Sequence, residues 1–383
     1  MDIKTFSDLN KIIERGKKSS TYKFALLRAT IDIIQENSPY LSIEDYNVKI
    51  PLGLVVEKWL VYYYPIYQSE IYIPQNTSEN SSFEPQLKKL ICYYNDKNGF
   101  SAFYNDLKNN SLPDDTKFKA DFFELLKSIR DTIVSNPMKH IGYSINKKHD
   151  SIYSQEKKDK KRLYKINSSK YRDIENIIND FGLFSISREY YEIFKLLGNF
   201  INGQDSILFK WAEFSVNASN QNLSIEKVLN EVLKSPITQR NINESKRIYK
   251  EILEKHGDVI CVWTEKKIRK YDIDHIIPFS VWRNNDLWNL LPSSSNINRK
   301  SKRDKIPSPK IIEDRKDLIL NYWEIIFESS QSERFQKEIQ VALLGNKPFA
   351  SWKENGITQL KESCNYLIEN RGFEEWTIEE WKI

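Results

Sequence analysis

The sequence predicts a mainly α-helical protein in which one short β-containing module interrupts the helices, with a helical N-terminal region before it and a helical tail after it. Three observations predict this. Apolar residues recur at three- and four-residue spacing through most of the 383 residues, Gly and Pro number only 11 and 13, and β-branched and aromatic residues concentrate in one stretch from Val259 to Ile277. The length allows two or three domains. With 40% hydrophobic and 29% charged residues the chain is a folded one, which excludes collagen-like, linker-like and mucin-like classes.

From Phe6 to Asn37 the apolar positions Leu9, Ile12 and Ile13, then Phe24, Leu27, Ile31 and Ile34, predict a helical hairpin, with Ser19, Ser20 or Thr21 as a cap between its arms. Leu52 to Tyr64 continues the pattern. The polar run from Asn76 to Ser82 separates it from a helix through Leu87, Leu90, Ile91 and Tyr94, and another helix is expected from Phe118 to Val134. Between His140 and Arg172 apolar residues thin out and the run KKDKKR at 157–162 appears, a basic hairpin or linker that is either a solvated segment or a phosphate-contacting loop.

Helices are predicted again over Tyr190 to Ile201, Ile207 to Ala218 and Ile242 to His256. Val259 to Trp263 and Tyr271 to Ile277 read as two strands around a polar turn, and the chain then reads as loop until Ser293. The tail is helical, with Ile311, Leu318, Tyr322 and Ile326 on one face and Ile339, Leu343 and Leu344 in a second run; Trp352, Trp376 and Trp381 are expected to pack it. This gives three regions: 1–240, largely helical and suited to recognition or regulation; 241–310, the β-containing module; and 311–383, a helical extension packing on that module.

The net charge, 58 − 53 = +5, permits an anionic partner without indicating one. Cys92, Cys261 and Cys364 are widely spaced and none sits in a CxxC pair, so neither a disulfide framework nor structural zinc is expected, and a reducing, cytoplasmic home is. No secretory signal is expected at the N-terminus. The stretch Leu52 to Tyr67 is interrupted by Glu57 and Lys58 and is too short to span a bilayer, so no membrane partner is expected. A GxxxxGK[ST] run is absent, so any ATPase would be a separate subunit.

One constellation carries chemistry: Asp272-Ile273-Asp274-His275-Ile276-Ile277-Pro278, followed by Asn289 and by Asn298-Arg299-Lys300. His275 is one of only four histidines and stands beside two carboxylates. Adjacent strand residues point to opposite faces, so Asp274 and His275 converge on one substrate only if the strand bends there. Between residues 259 and 307 Lys and Arg outnumber Asp and Glu by 10 to 5, the footprint a phosphate backbone requires.

DIDHIIP, the later Asn289 and the NRK at 298–300 resemble the core of the HNH, or ββα-metal, endonucleases, with His275 and Asn298 separated by 298 − 275 = 23 positions. The stretch is particularly similar to the HNH domain of RNA-guided CRISPR endonucleases. The resemblance covers about 50 residues and implies an embedded ββα-metal module of the kind found grafted onto unrelated domains. It implies that His275 is the general base, that Asp274 and Asn298 bind Mg²⁺ or Mn²⁺, and that Asn289 supports the histidine or its loop. It further implies a DNA substrate, with Arg299, Lys300, Lys302 and Arg303 as candidate phosphate contacts, and a bacterial restriction or anti-phage nuclease; one site per chain makes a homodimer the simplest way to cut both strands. A catalytically silent or partner-activated nucleic-acid-binding protein, or an RNA-directed nuclease, is the alternative. The chain departs from the many family members braced by paired CxxC motifs, since Cys261 stands alone. Asp272 is a second ligand or a solvent-side charge.

Overall fold

The computed structural model describes residues 3–15, 19–77, 81–142, 151–155, 173–202, 207–237 and 240–378. The basic run at 157–162 and Trp381 lie outside the described residues. Two units form, Met1–Pro236 and Ile237–Ile383.

In the first unit the helix Leu52–Gln68 is apolar on almost every face, and accordingly nearly every side chain from Leu52 to Ile66 is buried. Around it pack the helices Tyr22–Gln35, Glu84–Tyr94, Thr116–Ser135 and Ile174–Asp180. Asp115 caps Thr116–Ser135 by accepting from the Phe118 amide at 2.8 Å, satisfying one of the amides that a helix start leaves open. An aromatic cluster of Tyr22, Trp59, Tyr63 and Phe83 fills the centre, its rings 5.2–6.3 Å apart. Buried Gln75 ties the cluster's polar edges: its side-chain oxygen accepts from Thr21 at 2.8 Å and from Trp211 at 3.0 Å.

This unit also contains an antiparallel sheet that helical periodicity does not reveal. Its strands lie in the order Ser42–Ile43, Asn47–Pro51, Leu183–Ser187, Ser154–Gln155. Each strand has two to five residues, and Asn47 finds its partner in Ser187, so no local signal announces the pairing. Val48 and Ile50 alternate inward with Phe184 and Ile186, as a half-buried sheet requires.

In the second unit a single hydrophobic core runs from Ile248 to Trp376, so the β-containing module and the helical tail share one interior. The helix Asn243–His256 ends on Gly257 in the left-handed conformation. The strands differ from the expected pair. Val259–Ile260 pairs with Lys267–Ile268, while Asp272–His275 pairs antiparallel with Leu290–Ser293, a stretch read from sequence as loop. All four residues of Leu290–Ser293 are buried and Pro292 interrupts them, so neither alternation nor composition marks a strand. The tail returns to the module through the parallel pairing of Glu375–Trp376 with Ile306–Pro307. Among the described residues no helix is long and apolar enough to cross a membrane.

Gly53 marks the tightest helix crossing: a Cβ there would stand 1.9 Å from the Ile177 carbonyl oxygen and 2.5 Å from the Ile178 Cα. Backbone cannot yield as a side chain can. Gly53→Ala is expected to lower the unfolding free energy by about 2–3 kcal/mol, measured as a lower urea midpoint; an unchanged midpoint would show that this packing is looser than described.

Candidate active site

The strand Asp272–His275 sets the site by its alternation. Asp272 and Asp274 project to one face, toward the short helix Ile297–Lys302, and His275 projects to the other. The strand stays paired through His275 opposite Leu290, so no bend within it brings the two side chains to one side.

On the first face Asp274 is 2% exposed. Its Oδ2 accepts from the Trp263 indole at 2.6 Å, and its Oδ1 lies 3.3 Å from the Lys302 ammonium. Lys302, 0% exposed, also donates to the His275 carbonyl at 2.7 Å. The expectation that Lys302 contacts substrate phosphate is therefore corrected: its stem lies in the core and its charge is spent on Asp274. Burial pushes both groups toward their neutral forms, raising Asp274 and lowering Lys302, while their mutual attraction opposes this in each.

Two residues earlier on the same face, Asp272 receives two hydrogen bonds from Arg299, at 2.7 and 2.9 Å. Burial raises this carboxyl, but hydrogen bonds from Arg299, Ser295 and Asn298 outweigh it and hold the group below the usual range. Asn298 thus sits with Asp272, on the helix that carries Lys302 one turn later. That helix is wound as a π-helix, with the Arg303 amide donating to the Asn298 carbonyl at 3.0 Å. Lys300 and Arg303 are exposed at its end.

On the opposite face His275 is 2% exposed. Its Nε2 lies 3.5 Å from the Asn285 side-chain oxygen, Phe279 packs edge-on at 5.7 Å, and the Asn284 backbone is the ring's other hydrogen-bonding neighbour. Burial, reinforced by the positive charge of Arg240, pushes the imidazole down to about 3. Arg240 is fixed by donating to the Ile273 carbonyl at 2.7 Å. Asn289, fully buried, holds the chain just beyond the histidine: it accepts from the Ile277 amide at 2.8 Å and donates to the Ile277 carbonyl at 3.0 Å.

The sequence-predicted residues therefore form three groups: Asp274 with Lys302, Asp272 with Asn298 and Arg299, and His275 alone on the far face, with Asn289 bracing the turn. Sequence reasoning missed Trp263, Arg240 and Asn285. The spacing of Lys302 four residues after Asn298 is a signal for its placement, since that spacing puts both on one helical face.

The donors on the first face suit a divalent cation. Carboxylate and amide oxygens are hard ligands of the kind Mg²⁺ and Mn²⁺ take, and the Lys302 ammonium already stands as a cation against Asp274. Among the described residues no three His, Cys, Asp or Glu side chains gather, so a metal held on this face would need amide or water oxygens for most of its ligands. Cys261 is engaged otherwise, its sulfur accepting from the Ser294 amide at 3.3 Å.

Comparison with known proteins adds two matches. Residues 261–308 match a family model described as HNH endonuclease, and residues 2–232 match one described as a domain of unknown function, DUF8808. Neither the curated proteins nor the solved structures contain a match.

Two outcomes are expected. Asn289→Ala strands the Ile277 amide and carbonyl and should cost about 2–4 kcal/mol in chemical denaturation; a loss below 1 kcal/mol would mean that water replaces the clamp. Because the folded imidazole binds its proton less readily than the unfolded one, His275 contributes stability above about pH 6.5 that is lost as pH falls toward 3. NMR of the metal-free protein should accordingly show no His275 titration between about pH 5 and 8, and a midpoint near 6.5 would contradict that.

Proposed function

We propose, for a chain that belongs to the DUF8808 family and carries an HNH endonuclease domain at residues 261–308, that it is a metal-dependent endonuclease hydrolysing DNA phosphodiester bonds. The observation that carries this reading is the buried Asp274 carboxylate with a cation, the Lys302 ammonium, already against it, on the strand face where Asp272 and Asn298 stand as a neighbouring pair of oxygen donors.

In this reading Asp274 and Asn298 hold Mg²⁺ or Mn²⁺. The bound ion supplies charge neutralisation at the phosphate and the departing oxygen. On its entry Lys302 leaves the carboxylate, because two cations held against one buried oxygen repel each other strongly. His275 takes a proton from water on its neutral imidazole, which requires the end of the strand to turn so that this face meets the same phosphate as Asp274. Asn289 keeps the histidine in position through the Ile277 backbone. Arg299, Lys300 and Arg303, exposed on and just after the metal-binding helix, position the phosphate backbone. For Arg299 this means exchanging Asp272 for substrate.

The fusion of an HNH domain to a large separate unit supports a restriction or anti-phage role, with two copies cutting the two strands. A second reading has its own observation. Lys302 closes Asp274, and Phe279 and Asn285 cover His275, which favours a nuclease held silent until a partner or signal opens it.

Supercoiled plasmid with Mg²⁺ or Mn²⁺ tests the activity. Nicking is expected, and His275→Ala should reduce it by roughly 10²–10⁴-fold; equal nicking by wild type and variant would eliminate His275 as the base. Lys302→Met isolates the carboxylate. The metal-free variant should lose about 3–5 kcal/mol, and Mn²⁺ should raise its Tm more than that of the wild type. Indifference to Mn²⁺ would remove Asp274 from the metal site.

A further inference from the structure

We propose that Glu338, in the helical tail, is a positioning residue for His275: with Arg334 it anchors the segment 284–287, which carries polar neighbours of the imidazole. The inference rests on the nuclease reading, in which His275 takes the proton.

The helix Ser332–Ile339 buries Phe335 and Ile339 in the core of the C-terminal unit, and Glu338 is buried beside them at 7% exposure. A carboxylate costs stability there unless it is paired and hydrogen-bonded, and an apolar side chain would fill the same space at lower cost. Both of its oxygens are engaged. Oε1 accepts from the Arg334 Nε at 2.6 Å, one turn back on the same helix, and Oε2 accepts from the Leu287 amide at 2.7 Å. Arg334 reaches the same segment, its Nη2 donating to the Asn285 carbonyl at 3.4 Å. One ion pair thus grips two nearby backbone groups of the connection between the strands Asp272–His275 and Leu290–Ser293.

Those contacts hold the surroundings of the imidazole. The Asn285 side-chain oxygen stands 3.5 Å from the His275 Nε2 and accepts from the Asn241 amide at 3.0 Å, and the Asn284 backbone lies against the ring as well. Asp286 stiffens the segment from within, accepting from the Asn284 side-chain amide at 2.8 Å and from the Trp288 indole at 3.0 Å. Asn285 therefore meets the clamp with its carbonyl and the histidine with its side chain, so a shift of the clamped backbone passes to the ring. Misplacing a reacting group by about 1 Å can cost on the order of 10²-fold in rate.

The test uses the full chain, assayed well below the Tm of each variant. Glu338→Ala should slow plasmid nicking with Mg²⁺ by roughly tenfold or more while leaving plasmid affinity in EDTA unchanged. In NMR of the metal-free protein at fixed pH it should also shift the His275 ring signals. Glu338→Gln, which keeps an oxygen for the Leu287 amide, should restore most of the rate and the wild-type signals. Ile339→Ala supplies the comparison: it empties core volume on the same helix, so it should lower the Tm and leave nicking and the His275 signals unchanged. If Glu338→Ala does not fold, Arg334→Gln at the partly exposed member of the pair carries the test, moving the same signals and slowing nicking by roughly threefold or more. Unmoved His275 signals with undiminished nicking in these variants, or the same changes in Ile339→Ala, overturn the positioning role and leave the nuclease reading intact. A wild type that binds plasmid and never nicks it overturns the nuclease reading and the role with it.

Discussion

The buried contact between the Lys302 ammonium and the Asp274 carboxylate governs the organisation of the C-terminal unit. Neither charge has solvent to stabilise it, so each persists in its charged form only through the other and through a small set of dipoles. The Trp263 indole donates to one carboxylate oxygen and the His275 carbonyl accepts from the ammonium, so the pair binds the strand Asp272–His275 to the helix Ile297–Lys302. A hydrophobic substitute would join these elements as firmly. It would not leave an anionic oxygen behind if the partner withdrew, and in the proposed reading that difference connects the packing to the chemistry.

The tail extends this arrangement. Trp376 stacks edge-on against Trp263 at 5.3 Å and donates to the Ser301 hydroxyl at 2.8 Å, so the last strand touches both the residue that orients Asp274 and the helix that delivers Lys302. Across the strand, Asn289 and Arg240 fix the backbone on either side of His275. One face is thus built from charge and the other from backbone clamps. The histidine is kept neutral by burial, and the carboxylate is kept paired.

Much of this was legible in the sequence where local periodicity controls structure. The helix Ile207–Ala218 is read directly from its spacing, and the segment around DIDH is read as a strand from its β-branched flanks. Elements whose reason is distant were not legible. Leu290–Ser293 is a strand because Asp272–His275 lies beside it, and the sheet of the first unit joins residues far apart in the chain. In the site, the identities of Asp274, His275 and Asn298 came from motif, but their environments did not. Lys302 looks like one more cation in a basic run; only its position one turn beyond Asn298, on the face turned to the strand, takes it into the interior.

The central claim is that lysine and a divalent ion are alternative occupants of Asp274. An anomalous difference map from crystals of the full chain soaked in Mn²⁺ addresses it most directly. The account predicts a peak within coordination distance of Asp274 and Asn298, with the Lys302 ammonium withdrawn from the carboxylate. A saturated crystal in which Lys302 still contacts Asp274, and manganese is absent or bound elsewhere, would contradict it.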